Sequence, residues 1–259
     1  MSEYKHVNVH TENRVGWIDF NRPPVNAKHW DMVREIHGAI QQHHDDREVR
    51  VIVLGSALER YFSTGADIAV FAEMSRAEMI DWADMAHALV HIMRQSEKPL
   101  LAAIRGVAVG GGLEMTLHCD LRFAATDARL GQPEININYI PPIGATQALA
   151  RLIGRPQAIR LLFDGELISA REALEIGLVD TLVAPEDLRK EVQAYGEKLA
   201  AKPPEALAAI RQTITLGGAM SFDGGLALER EHVIRLAGTE NFREGLAAFL
   251  ENRLPVWKG

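Results

Sequence analysis

Three consecutive glycines, Gly110 to Gly112, close an apolar run and open a helix-like pattern, and they constrain the chain more than any other stretch. Glycine carries no Cβ, so backbone at these positions can approach a neighbouring element or a ligand closely. A helix start there presents unpaired N–H groups and the positive end of the helix dipole. Glu114 falls in the first turn among Leu113, Met115 and Leu117, and a second acid, Glu134, follows in Gly131-Gln132-Pro133-Glu134 at an expected strand-to-loop transition. Amide donors beside two acids are the parts needed for chemistry next to a carbonyl group. An acid in an apolar turn is desolvated, which raises its pKa and suits proton transfer near neutral pH. The plainer readings are a glycine run that merely lets a helix pack on a sheet, and an acid that complements the helix dipole for about 0.3–1 kcal/mol. A dipole-complementing acid normally faces water, whereas the neighbours of Glu114 point to a half-buried turn.

Around this stretch the periodicity predicts strands over Lys5 to His10 and Val15 to Phe20, joined by a polar turn at Thr11 to Arg14. Trp30, Val33, Ile36 and Ile40 recur at helical spacing and predict a helix from about Lys28 to His43. Val49 to Leu54 is short, β-branched and nearly all apolar, as a strand covered on both faces should be. Helical patterning from Ile68 to Arg94, broken near Ser75, precedes four short strands at Leu100 to Ile104, Val107 to Val109, Leu121 to Ala125 and Arg129 to Gly131. After Ile143 the pattern is almost wholly helical, with one brief strand expected at Val179 to Val183. The expected division is a core over residues 1–195 and a helical region over 196–259. Leu226, Val233, Leu236, Phe242, Leu246, Phe249 and Leu250 give the latter apolar faces that need a core or another subunit to cover them.

Composition narrows the function. A 259-residue chain that is 47% apolar and 24% charged is an ordinary globular protein. Its net charge of −7, with acids and bases interspersed, argues against nucleic acid or an anionic membrane as the main partner. One cysteine, Cys119, suits a reducing compartment. No apolar run reaches spanning length and the first residues lack a signal-peptide pattern, so a soluble, cytoplasmic protein is expected.

Competing motifs fail on spacing. No Gly-Lys-Ser/Thr follows the glycines, which excludes a nucleoside-triphosphate loop, and Gly106 and Gly110 do not match a dinucleotide fingerprint. His87 and His91 share helical spacing without a third ligand cluster and read as solvated, so no metal is expected. His118, Cys119 and Asp120 are adjacent on a helix and do not face one another, and Cys119 reads as a small buried hydrophobe. No Gly-x-Ser-x-Gly elbow occurs.

Several ordered pieces then resemble the enoyl-CoA hydratase/isomerase (crotonase) superfamily over nearly the whole length. They are Asn21-Arg22-Pro23 with Asn26-Ala27, Phe62 to Ile68, Ala102 to Asp120, Gly131 to Glu134, Gly144 to Gln147, Ile168 to Val179, and the tail Phe249 to Lys258. The resemblance implies an α/β fold: a spiral of strand-strand-helix units with a helical C-terminal trimerisation region, as a homotrimer or a dimer of trimers. It implies an acyl-CoA thioester substrate and no separate cofactor, CoA being part of the substrate. By matching positions, the N–H groups of Ala66 and Gly111 would form an oxyanion hole. Glu114 would hold and deprotonate a water and Glu134 would supply the α-proton. Asn26, Ala27, Gly65, Asp67, Ile68, Ala69, Gly110, Asn138, Tyr139, Phe249 and Lys258 would contact substrate or CoA. Asn138 and Pro142 stand where glycines are usual beside the acyl pocket, and Asn136 and Tyr139 add polar groups that favour a cyclic, aromatic or oxygenated acyl group. Asn252 stands where a lysine near the CoA phosphates is frequent, leaving Lys258 as a substitute. The implied activity is hydration of a 2-enoyl-CoA. Double-bond isomerisation, C–C hydrolysis of a CoA thioester, or CoA binding without catalysis remain alternatives.

Overall fold

The computed structural model describes residues 4–258. Its first strands are β1 (Val7–Glu12) and β2 (Val15–Phe20), an antiparallel hairpin. The turn between them is shorter than expected. Only Asn13 and Arg14 lie outside the strands, and both have positive φ, 47° and 68°, the sense a two-residue hairpin turn requires. Then come α1 (Trp30–Asp45), β3 (Val51–Ser56), β4 (Tyr61–Ser63), α2 (Ile68–Ala72) and α3 (Arg76–Gln95). Ser75 and Glu78 form a reciprocal capping box at the start of α3, so the expected break near Ser75 is a helix start.

The glycine stretch is reached through β5 (Leu100–Ile104) and β6 (Val107–Val109), and it opens α4 (Gly111–Thr116). After β7 (Leu121–Ala125) and β8 (Arg129–Gly131), residues Pro133–Ile137 form a single-turn 3-10 helix. Glu134 therefore sits on a helical turn, where a plain loop was expected. Next are α5 (Ala145–Leu152), α6 (Arg155–Asp164), β9 (Leu167–Ser169), α7 (Ala170–Glu175) and β10 (Thr181–Val183). The chain closes with α8 (Leu188–Ala200), α9 (Pro204–Gly217), α10 (Phe222–Ala237) and α11 (Glu240–Leu250).

The strands form two sheets. One has the order β1-β2-β3-β5-β7-β10, parallel from β2 onward, and the other runs β4-β6-β8-β9. Strand-strand-helix units thus feed two stacked sheets. Every residue of β2, β3 and β5 is buried, as parallel strands covered on both faces must be. Alternation sorts their side chains. Ile18, Phe20, Ile52, Leu54, Leu100 and Ile104 join the core shared with α1 and α3, while Trp17, Val51, Val53 and Leu101 join a second core under α8. The expected boundary at 195/196 falls inside α8, which is continuous and buries Leu188, Val192 and Ala200.

Arg211 on α9 ties the C-terminal helices to this body. It is 6% exposed. Its guanidinium donates to the carbonyls of Met93, Arg94 and Ser96 at the end of α3, and to Asp120 Oδ2 at 2.8 Å. The same Asp120 oxygen accepts the N–H of Leu100, at the head of β5, at 2.7 Å. Among the described residues, no helix is long and apolar enough to cross a membrane.

Candidate active site

The parallel strands β4 and β6 end side by side, and the chain leaves both at the same place. From β4 it passes through Thr64-Gly65-Ala66, and from β6 through Gly110 into α4. A Cβ at Gly65 would lie 3.1 Å from the Gly111 nitrogen, so the two turns touch. Ala66 and Gly111 both line one cavity of about 250 Å3, together with Gly65, Gly110, Glu134 and Tyr139. The two backbone positions expected to supply the oxyanion donors therefore meet at one cavity.

Gly110 is required on two counts. Its φ is +52°, and a Cβ there would come within 2.6 Å of Glu134 Oε1. Gly112 faces a different constraint, since a Cβ would lie 2.5 Å from the Ser63 carbonyl oxygen. The helix start is thus pressed against β4 on one side and open to Glu134 on the other.

Glu114 is fully buried. One oxygen, Oε1, accepts the N–H groups of Ile143 at 2.8 Å and Ala145 at 3.1 Å. The other, Oε2, has no hydrogen-bond partner among the described residues and lies 4.0 Å from the Cβ position of Gly111. A buried carboxylate oxygen without a donor is costly, and here the bare oxygen faces the glycine turn. His118 fixes the donors to Glu114. Its Nε2 donates to the Ile143 carbonyl at 2.7 Å, and burial pulls its pKa down to about 4, which keeps the ring neutral. Gln132, with its amide turned so that the nitrogen faces the acid, donates to Glu134 Oε2 at 3.0 Å.

Burial raises Glu114 to about 8, with the charge of Glu134 adding to the rise, and the two backbone donors oppose it. Burial likewise lifts Glu134 to about 7. Because the charge of Glu134 acts on Glu114, the two acids titrate as a unit. Between these values the pair carries one proton, held at rest on Glu114, and that proton must pass to Glu134 before Glu114 can act as the base. One base and one acid then coexist at neutral pH, as addition of water to a conjugated carbonyl needs.

The remaining expected residues divide. Gly65, Gly110, Ile68 and Tyr139 line the cavity, joined by Phe71, Trp82, Asn136 and Pro142. Trp82, Phe71 and Tyr139 stand edge to face in sequence, with ring centroids 5.1 and 5.7 Å apart. Asn138 does not line the cavity. It is exposed, with φ +56° at the end of the 3-10 turn, so it replaces a glycine by tolerating the left-handed conformation. Asn26 is wholly buried, and its amide nitrogen donates to Ser56 Oγ and the Phe62 carbonyl. Its amide is spent on holding the strap, and it does not line the cavity. Ala27 accepts from Arg22 through its carbonyl. Asp67 caps α2 by accepting the N–H of Ala69 at 3.2 Å and pairs with Arg22 at 2.8 Å. Phe249 is exposed on α11, Lys258 pairs with Glu240, and neither lines the cavity.

His87 and His91 are exposed. Cys119 is buried, and its thiol is pushed up to about 12 by that burial. Lys28, which sequence reasoning treated only as the edge of a helix, is a cavity-lining residue. The signal available was its place directly after Asn26-Ala27, where a charged residue enters an otherwise scaffolding segment.

Comparisons with known proteins place the whole chain in a family. The enoyl-CoA hydratase/isomerase family matches residues 10–259. A short-chain-enoyl-CoA hydratase of Clostridium acetobutylicum is 34% identical over 252 residues, covering 97% of each chain. An (E)-benzylidenesuccinyl-CoA hydratase of Thauera aromatica is 34% identical over 254 residues, covering 98% of this chain and 99% of its own. A crystal structure of an enoyl-CoA hydratase from Bacillus anthracis superposes with a TM-score of 0.94 at 33% identity, covering 98% of this chain and all of the other. With two touching glycine turns, a buried acid pair and a match over nearly its full length, this chain belongs to the enoyl-CoA hydratase/isomerase family, within the crotonase superfamily.

Proposed function

We propose that this protein adds water across the double bond of a 2-enoyl-CoA thioester. The observation that carries the reading is Glu114, with one oxygen saturated by backbone donors and the other bare, beside Glu134 at the same glycine turn. The thioester carbonyl sits between the Ala66 and Gly111 N–H groups. A water donates one proton to Glu114 as its oxygen bonds to the β-carbon. The C=C electrons move toward the carbonyl, and the resulting enolate oxygen is held by the two N–H groups, each typically worth about 2.7–4 kcal/mol in acyl-transfer sites. Glu134 delivers its proton to the α-carbon, and the carboxyl pair redistributes the proton taken from water. The sum is one water added, with CoA as part of the substrate and no further cofactor consumed. The edge-to-face wall of Trp82, Phe71 and Tyr139 favours a planar, conjugated or ring-bearing acyl group at the far end.

The test is hydration of crotonyl-CoA followed by loss of its conjugated absorbance, in water labelled with heavy oxygen. Label on the β-carbon of the product supports the proposal. Double-bond migration without label supports isomerisation, and free CoA or a cleaved carbon chain supports hydrolysis.

The acid pair sets a pH dependence. Below about 7 both carboxyls are protonated and no base remains, and above about 8 both are ionised and no acid remains. kcat/KM is therefore expected to be bell-shaped with limbs near these values, measured from about pH 5 to about pH 10. A flat profile across that range contradicts the paired roles.

Assembly is part of the same proposal. Phe222, Val233, Phe249 and Leu250 on the C-terminal helices are 83%, 61%, 85% and 82% exposed, more apolar surface than single chains in water usually leave open. This supports a homotrimer or a dimer of trimers joined through residues 196–259. Light scattering is expected to give three or six times the chain mass, and Phe222→Asp to lower it toward that of one chain. A cytoplasmic location and a place in acyl-CoA, including fatty-acyl, metabolism belong to the same proposal, and the free buried thiol suits a reducing compartment.

A further inference from the structure

Lys28 is a lysine buried where a fixed positive charge is expensive. It is 1% exposed, and its Nζ donates to Ser63 Oγ at 2.7 Å. An ammonium carries three donors, and the acceptor it meets among the described residues is that single hydroxyl. Ser63 Oγ in turn donates to the Asn26 carbonyl at 2.7 Å and accepts the Gly65 N–H at 3.2 Å. The backbone of Lys28 grips the same segment. Its N–H donates to the Gly65 carbonyl at 2.7 Å, and its carbonyl accepts the Asp67 N–H at 2.8 Å. Ala66, one of the two oxyanion donors, thus lies between residues that Lys28 holds on either side. Ser63 also supports the other donor, because it lies against Gly112, the neighbour of Gly111.

The surroundings of the ammonium are otherwise neutral. The Phe20 ring centroid is 5.4 Å away, and Ser63 and Asn26 carry no charge. The charged group acting on it is Glu114 on α4. A side chain chosen only to fill this space would be apolar, since burying an amine costs free energy that a methionine of similar length avoids.

We propose that Lys28 is a positioning residue of the oxyanion site: through Ser63 it braces the Gly65-Ala66 strap and sets a positive charge beneath the forming enolate and beside Glu114. The inference rests on the hydratase reading above. Burial pulls Lys28 down to about 7 while Glu114 opposes the fall, so the electrostatic part of its effect is strongest at and below neutral pH and fades above it, while the brace through Ser63 remains.

The test compares the wild-type chain with Lys28→Met and Ser63→Ala. Lys28→Met is expected to lower kcat for crotonyl-CoA roughly tenfold, less than the loss of a direct oxyanion donor costs, with KM changed by less than about twofold. The limb of the pH profile near 8, where Glu114 ionises, should move upward, because Glu114 loses a charge that favours its ionised form. The second readout is binding of cinnamoyl-CoA, whose absorbance shifts to the red when its carbonyl is polarised. Lys28→Met should bind it with a smaller shift, and Ser63→Ala should fall in the same direction. The melting temperature of Lys28→Met should be unchanged or higher.

A Lys28→Met enzyme with wild-type kcat, pH limbs and red shift overturns the proposal while leaving the hydratase reading standing. So does a variant whose only change is a lower melting temperature. If Ser63→Ala keeps the full rate and shift, the route through Ser63 is wrong. A wild-type protein that neither hydrates crotonyl-CoA nor shifts cinnamoyl-CoA removes the hydratase reading first, and this one with it.

Discussion

Replacing Glu114 by glutamine is expected to lower kcat for crotonyl-CoA hydration by roughly 10²- to 10⁴-fold, the range for loss of a general base. Glutamine keeps the shape and an acceptor oxygen for the Ile143 and Ala145 N–H groups, so the Pro142–Ala145 loop retains its anchor. What it lacks is a site for the proton of water. Stability should move the other way. The folded-state pKa of Glu114 is raised to about 8 from its ordinary 4.5, so the folded protein binds more protons than the unfolded chain between those values. Its contribution is favourable below the ordinary value and is lost as pH rises toward about 8. Glu114→Gln is therefore expected to melt no lower than the wild type at pH 8, in parallel scans at that pH. A variant that melts far lower assigns the acid a folding role, and one that keeps full activity removes it from the chemistry.

Gly110→Ala should nearly abolish turnover through geometry alone. A side chain at φ +52° costs about 1–2 kcal/mol. The added methyl would also need the space of Glu134 Oε1, 2.6 Å away. The acid must swing aside or the turn must shift, and the turn carries the Gly111 donor. A loss in kcat of at least about 10²-fold is expected, comparable to deleting an oxyanion donor, with a modest fall in melting temperature. Steady-state kinetics with differential scanning fluorimetry separates the two. An active Gly110→Ala enzyme would show that Glu134 does not work at this turn.

Much of this was legible in the chain because it was local. The apolar runs at β3 and β5 and the break in helical pattern near Ser75 are decided by residues next to one another. Glu114 was legible as a desolvated acid because its helix neighbours are apolar. The rest depends on partners far away in sequence. The donors to Glu114 come from residues 143 and 145, and the histidine that fixes them faces the loop only after folding. Lys28 looked like the polar edge of a helix, and its burial is created by Phe20 and Ser63 closing over it. Asn26 looked like a ligand contact because its motif borders the site, yet its amide is used up by strand carbonyls. Strand β9 is three residues long, between two helices, and owes its extended form to pairing with β8 rather than to its own pattern.

The grip of Arg211 on Met93, Arg94, Ser96 and Asp120 has a consequence at a distance. Asp120 also steadies Leu100, where the chain begins its run toward the glycines. Clipping away the tail would leave the carbonyls at the end of α3 uncapped and Asp120 without its cation. The disturbance would travel up β5 and β6 to the glycine turn. Residues far from the cavity thus hold its entry strands in place, and the last quarter of the chain is a keystone rather than an ornament.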